Sequence, residues 1–206
     1  LHSTSRRQRQ MCIRDRIYKL KMGSDTVCYI KSDLKNKFSY FKFEKDTVFQ
    51  RNKVDKNNNL VFILHGEMEV IYGDLYPRLI SDGNMILLTP LSRCVCKAVS
   101  TVELIILGFG TLNHSCDKYI FQNLTPFFSL IKYEFRELEI RESLDRFLQL
   151  MQNYEQNQVP MADLASRKIQ ELFIILHAYY TSDELAMLFY PPVSYTHLTL
   201  PTTSRV

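Results

Sequence analysis

From about residue 26 to residue 110, apolar residues recur in short runs, mostly with a period of two, as half-buried strands require. TVCYI (Thr26 to Ile30), FSYFKF (Phe38 to Phe43) and TVFQ (Thr47 to Gln50) are rich in aromatic and β-branched residues and predict strands. DKNNN (Asp55 to Asn59) is turn chemistry, because Asn and Asp tolerate a left-handed backbone. LVFIL (Leu60 to Leu64) is apolar on both faces, as a strand covered on both sides should be, and it runs into a Gly66–Glu67 turn. In EMEVIY (Glu67 to Tyr72), Met68, Val70 and Tyr72 point one way and Glu67 and Glu69 the other. DGNMILLTP (Asp82 to Pro90) opens on an Asp-Gly turn and carries another apolar strand. VELIILGF (Val102 to Phe109) closes the all-β half, with Gly108 and Gly110 as breakers.

Beyond residue 111 the period lengthens to about 3.6, the signature of helices. Tyr119 to Phe128 predicts a short helix broken at Pro126. Arg141 to Gln156 places Leu144, Phe147, Leu148, Met151 and Tyr154 on one face. QNQVP interrupts. A second helix, roughly Met161 to Tyr180, follows with a stripe of Ile169, Leu172, Phe173, Leu176 and Tyr180. Ile174, Ile175 and Tyr179 lie off that stripe and are apolar too, so this helix has two faces to bury. One face can pack on the β half or on the preceding helix, and the other calls for a partner. Thr181 to Glu184 fits a capping box that opens a third helix, stopped by Pro191 and Pro192.

These elements predict an α+β chain: an N-terminal jelly-roll β-barrel over residues 17–110, then a helical connector and dimerisation region over 111–192. Alternation nominates Phe62, Leu64, Met68, Val70, Tyr72, Met85 and Leu87 as inward residues, which either line a small-molecule pocket or simply fill the barrel. The residues expected to pack the helices or a dimer are Leu144, Phe147, Leu148, Met151, Leu172, Ile175, Leu176 and Tyr179.

The chain has 206 residues, 46% of them hydrophobic and 23% charged, the balance of an ordinary globular protein. Its apolar runs are far shorter than the roughly 18 residues of a membrane span, and no secretory h-region follows the basic N-terminus. Five cysteines without a CxxC pair suit a reducing, cytoplasmic setting. Cys94 and Cys96 lie two apart and face one side of a strand, where a role as small core residues is favoured over metal or redox work. The net charge of +4 sits in the tails. Residues 17–192 carry 20 basic and 21 acidic side chains, so the folded part has no basic surplus for nucleic acid.

The tails are unusual in themselves. RRQRQMCIRDR (Arg6 to Arg16) and PVSYTHLTLPTT (Pro192 to Thr203) resemble conceptual translations of sequencing-adapter DNA. Residues 1–16 and 193–206 are therefore expected to be artefactual and are set aside from fold reasoning.

The strand rhythm around Gly66 and Pro90 is similar to that of the cupin type of barrel. That resemblance implies metal ligands as a His-x-His pair and a Glu ahead of Gly66, then a His after Pro90. The matching slots hold Asn52 to Asp55, Asn59 and the segment LSRCVCK, with no histidine among them. No metal, cofactor or catalytic residue is expected, because a divalent site needs three or four converging ligands. His65 reads as a turn residue and His177 as a core or interface histidine. His114 stands near Cys116 and Asp117 in a loop, where sequence proximity alone is poor grounds for a nucleophile. Neither GxGxxG nor GxxxxGK[ST] occurs.

Three segments carry a fuller resemblance: Leu60 to Pro90, HSCDKYIFQNLTPF (His114 to Phe127) and RKIQELFIILHAYYTSDELAMLFYP (Arg167 to Pro191). Together they look like the N-terminal half of AraC/XylS-type transcriptional regulators of Bacteroidetes, over about residues 24–192. The resemblance implies a bacterial, homodimeric, effector-binding domain. It also implies that promoter DNA is met only through a C-terminal helix-turn-helix domain, expected beyond Pro192 and absent from this chain. The alternatives are a stand-alone cupin that binds a small molecule, or a metal-dependent cupin enzyme.

Overall fold

The computed structural model describes residues 17–22, 25–30, 37–51, 57–73, 75–90, 94–109, 123–128, 130–160 and 164–198. Among these residues eleven strands come in chain order: β1 (Ile17–Met22), β2 (Asp25–Ile30), β3 (Lys37–Phe43), β4 (Val48–Arg51), β5 (Asn58–His65), β6 (Glu67–Tyr72), β7 (Arg78–Ser81), β8 (Asn84–Leu88), β9 (Cys94–Ala98), β10 (Val102–Phe109) and β11 (Leu138–Glu139). Among the described residues three long helices follow: α1 (Glu142–Gln156), α2 (Ala165–Tyr179) and α3 (Ser182–Leu198). A short helical segment covers 123–128, within the region where the sequence predicts one.

The strands form two sheets, in the orders β1-β2-β4-β9-β6-β7 and β11-β8-β5-β10-β3. Pairing is antiparallel except between β2 and β4. Among the described residues the two sheets share no strand, and no closed barrel forms. The expected α+β composition holds, but in place of the expected jelly-roll barrel the described strands form two sheets packed face to face, each ending in edge strands.

The layers explain the sequence pattern. The second sheet is the middle layer. Val61, Ile63, Ile86, Leu104 and Ile106 pack toward the first sheet. Leu60, Phe62, Met85, Leu87, Ile105 and Leu107 pack toward the helices. Strands β5, β8 and β10 are therefore buried nearly end to end. That is why Leu60 to Leu64 carries no polar alternation. The first sheet has only one covered face, and β6 accordingly alternates, with Met68 and Val70 buried and Glu67 exposed.

Three local features set this arrangement. Gly66 takes φ +85 in the β5–β6 turn, and a Cβ there would stand 2.2 Å from the Thr101 carbonyl oxygen. Leu138–Glu139 joins the edge of β8, so the segment ahead of α1 belongs to the middle sheet. The capping box forms as the sequence predicts: the Thr181 N–H donates to Glu184 Oε2 (2.7 Å) and the Glu184 N–H donates to Thr181 Oγ1 (3.3 Å).

Two expectations need correction here. Strand β5 starts at Asn58, inside the predicted Asp55–Asn59 turn, with Asn58 and Asn59 both buried. The third helix does not stop at Pro191 but runs through both prolines to Leu198. Proline's fixed φ is compatible with a helix; what it removes is a backbone donor, which favours a kink or a stop without forcing a stop.

Replacing Gly66 by Ala should destabilise the fold by roughly 1–3 kcal/mol or more, since it combines a left-handed backbone with a clash against backbone. A urea unfolding midpoint unchanged from the parent chain would contradict this packing.

Candidate functional site

The space between the sheets is the place where a small ligand could be held. Alternation in β6 and β9 builds one wall. Met68 lies opposite Ala98, Val70 opposite Cys96 and Tyr72 opposite Cys94. The Tyr72 ring stacks on Phe135 at 4.2 Å between centroids. Its hydroxyl lies 3.3 Å from Thr89 Oγ1. Cys94 and Cys96 point inward together, as their spacing predicts, with their sulfurs 3.7 Å apart. The hydrogen bond with Cys94 and then burial push the Cys96 thiol well above its ordinary value. A cavity of about 10 Å³, the scale of one water molecule, remains between Phe49, Met68, Asn59, Cys94 and Cys96.

The seven residues nominated for a pocket do not come together. Met68, Val70 and Tyr72 face the space between the sheets. Phe62, Leu64, Met85 and Leu87 lie on the opposite face of the middle sheet, against the helices. Their places between the sheets are taken by Val61, Ile63, Ile86 and Leu88. A strand covered on both sides reads the same from either face, so alternation gave the two sets but not which set looks inward.

The helix residues separate in a similar way. Leu144, Phe147, Leu148, Met151, Leu172 and Leu176 are buried within the chain, packed on the middle sheet and on each other. Ile175 is half-buried. Tyr179 is 51% exposed, and Ile174, five positions earlier and so on a different side of the helix, is 65% exposed. The stripe of α2 is thus consumed in the core, while Ile174 and Tyr179 stay open among polar residues such as Arg167, Gln170 and Glu171.

A polar cluster ties the helices to the sheet, and sequence reasoning missed it. The Arg141 backbone N–H donates to the Tyr180 hydroxyl (3.0 Å), which donates to the Glu139 carbonyl (2.8 Å). The Arg141 guanidinium donates to the Tyr179 carbonyl, pairs with Glu184 at 2.6 Å, and lies 4.4 Å from the centre of the Tyr180 ring. The junction of β11 with α1 is thereby fixed to the junction of α2 with α3. The available signal was Arg141 at the N-cap of α1, where a side-chain acceptor is the usual choice. Burial disfavours the ionised Glu184 carboxyl. The Thr181 N–H and hydroxyl and the Arg141 guanidinium outweigh that and hold it below its usual range.

The histidines stand apart from this core. His65 is exposed at the end of β5, 3.9 Å from Asp82. His177 is partly buried on α2. Asn52, Asp55, His114, Cys116 and Asp117 lie outside the described residues. Among the described residues no three His, Cys, Asp or Glu side chains converge on a metal position. No helix there is long and apolar enough to cross a membrane.

Because the Glu184 pKa is lowered on folding, its contribution to stability is complete above its unfolded value, near 4.5, and is lost as pH falls through the folded value. Glu184→Gln should lower stability at neutral pH and flatten the loss of stability between neutral pH and that acid window. Parallel pH–stability curves for parent and variant would contradict the cluster.

No family model matches this chain, and no curated protein matches it. Solved structures are similar in part. ToxT from Vibrio cholerae is 13% identical, with a TM-score of 0.46, over 82% of this chain and 60% of its own. A cupin 2 conserved barrel domain protein from Leptotrichia buccalis is 16% identical, with a TM-score of 0.32, over 45% of this chain and 38% of its own. The EutQ protein of Clostridium difficile is 15% identical, with a TM-score of 0.31, over 35% of this chain and 55% of its own. This chain spans less than two thirds of the length of each of the three.

Proposed function

We propose that residues 17–192 form the sensing and dimerisation half of an AraC-type transcriptional regulator. It would be a cytoplasmic homodimer with a sensory role and no catalytic one. Promoter DNA would be read by a separate helix-turn-helix part. The sequence resemblance across Leu60 to Pro90 and Arg167 to Pro191 supports the family.

One structural observation carries the mechanism. The middle sheet is a shared wall: Val61, Ile63 and Ile86 face the space between the sheets, while their neighbours Leu60, Phe62 and Met85 face α1 and α2. A ligand that shifts this wall shifts the helices packed on it, because close-packed interiors transmit displacement. The helices in turn expose the apolar side chains of Ile174 and Tyr179, which we assign to contacts with a second copy of the chain. Effector binding would then bias dimer geometry through a difference in affinity for two arrangements. The cavity between the sheets has room for about one water molecule, so an effector the size of a metabolite would have to bind a more open pair of sheets.

Sedimentation equilibrium tests the dimer. The chain should be dimeric at micromolar concentration. Ile174→Asp combined with Tyr179→Asp should shift it to monomer by at least tenfold in dissociation constant, with little change in melting temperature, since both side chains are exposed. A parent chain that stays monomeric at high micromolar concentration would overturn the assignment.

A further inference from the structure

We propose that Cys94, Cys96 and Met68 form a binding site for one soft monovalent metal ion, copper(I), between the two sheets. The site needs only the geometry of the inter-sheet core and stands whether or not the chain belongs to a regulator.

The argument starts from strand periodicity. Cys94 and Cys96 are alternate residues of β9, so both side chains point into the core, where they are 5% and 2% exposed. Their sulfurs are 3.7 Å apart. With metal–thiolate bonds of about 2.3 Å, two sulfurs at that spacing meet a common ion at an angle of about 110°. That angle suits a trigonal or tetrahedral ion and leaves room for at least one more donor. Linear coordination would need the sulfurs farther apart.

Met68 supplies the further donor. It lies opposite Ala98, one pair along from the Val70–Cys96 pair, and so sits diagonally across from Cys96. Diagonal neighbours on one sheet face are within reach of a long side chain. Met68 and both cysteines line the same small cavity, which has space for a single ion. Its remaining walls are largely apolar, with the amide side chains of Gln50 and Asn59 at the polar end.

The donor set selects the ion. Two thiolates and a thioether are soft ligands, which favour copper(I). Zinc would need four nitrogen, oxygen or thiolate ligands, and the described residues bring no three His, Cys, Asp or Glu side chains together. Binding replaces two thiol protons with one metal ion and releases both protons. Copper stays copper(I), and no oxidant or reductant enters. Because both thiols give up a proton on binding, affinity rises with pH.

The test is an anaerobic titration of the reduced full chain with copper(I) supplied as its acetonitrile complex, in competition with bicinchoninate. One ion per chain should be retained, with an ultraviolet thiolate-to-copper charge-transfer band. Cys94→Ser and Cys96→Ser should each weaken retention at least a hundredfold. Met68→Leu should weaken it about tenfold with the circular dichroism spectrum unchanged. A chain carrying Cys12→Ser, Cys28→Ser and Cys116→Ser should bind as the parent does. If the Cys94 and Cys96 variants do not fold, X-ray absorption at the copper edge of the parent chain decides: a shell of sulfur donors alone is expected. The proposal falls if the parent retains no copper, if the Cys12, Cys28 and Cys116 replacements abolish binding, or if nitrogen or oxygen donors dominate the shell.

Discussion

Burial of the middle sheet on both faces is the constraint from which the rest follows. Each fully buried aliphatic or aromatic side chain contributes roughly 1.5–3 kcal/mol relative to exposure. Strands β5 and β10 place such side chains on two faces at once. Neither the first sheet nor the helices can leave without exposing one complete face of this layer. Removing the helices would uncover Leu60, Phe62, Met85, Leu87, Ile105 and Leu107 together. Helices α1 and α2 are therefore structural parts of the β half, and the hydrogen-bonded pairing of Leu138–Glu139 with β8 builds the segment ahead of α1 into the sheet itself.

The same constraint divides the possible work of the molecule. The first sheet, open on its outer face, tolerates Glu67, Glu69 and Lys97 there and gives its inner face to Met68, Cys94 and Cys96. The helical layer is held at its ends by Arg141, Tyr180, Glu184 and Thr181, and it leaves Ile174 and Tyr179 on the surface. The proposed ligand event between the sheets and the proposed association on α2 would thus be separated by one packed layer. That is the physical requirement for coupling two sites: a packed element whose arrangement both can bias.

Much of this layout was legible in the sequence, and the failures have causes. Glu67 and Glu69 mark the solvent face of β6, so Met68, Val70 and Tyr72 could be assigned inward from alternation alone. In β5 and β8 there are no polar markers, and Phe62, Leu64, Met85 and Leu87 could not be told from Val61, Ile63, Ile86 and Leu88. The apolar stripe of α1 and the capping box at Thr181 were readable because helical spacing and cap chemistry are local. Strand β11 was invisible, since two residues carry no period. The Arg141 cluster joins positions some 40 residues apart and depends on how α1 and α3 meet. The prolines at 191 and 192 were read as a stop because propensity is local, while the helix is decided by its surroundings.

Native-state hydrogen exchange across the whole chain measures most directly whether the middle sheet binds both layers into one unit. Amides of β5, β10, α1 and α2 should share the slowest exchange and open only with global unfolding. Helices α1 and α2 exchanging orders of magnitude faster than β5 and β10 would show that the helical layer opens on its own, and the account of a shared wall would be wrong.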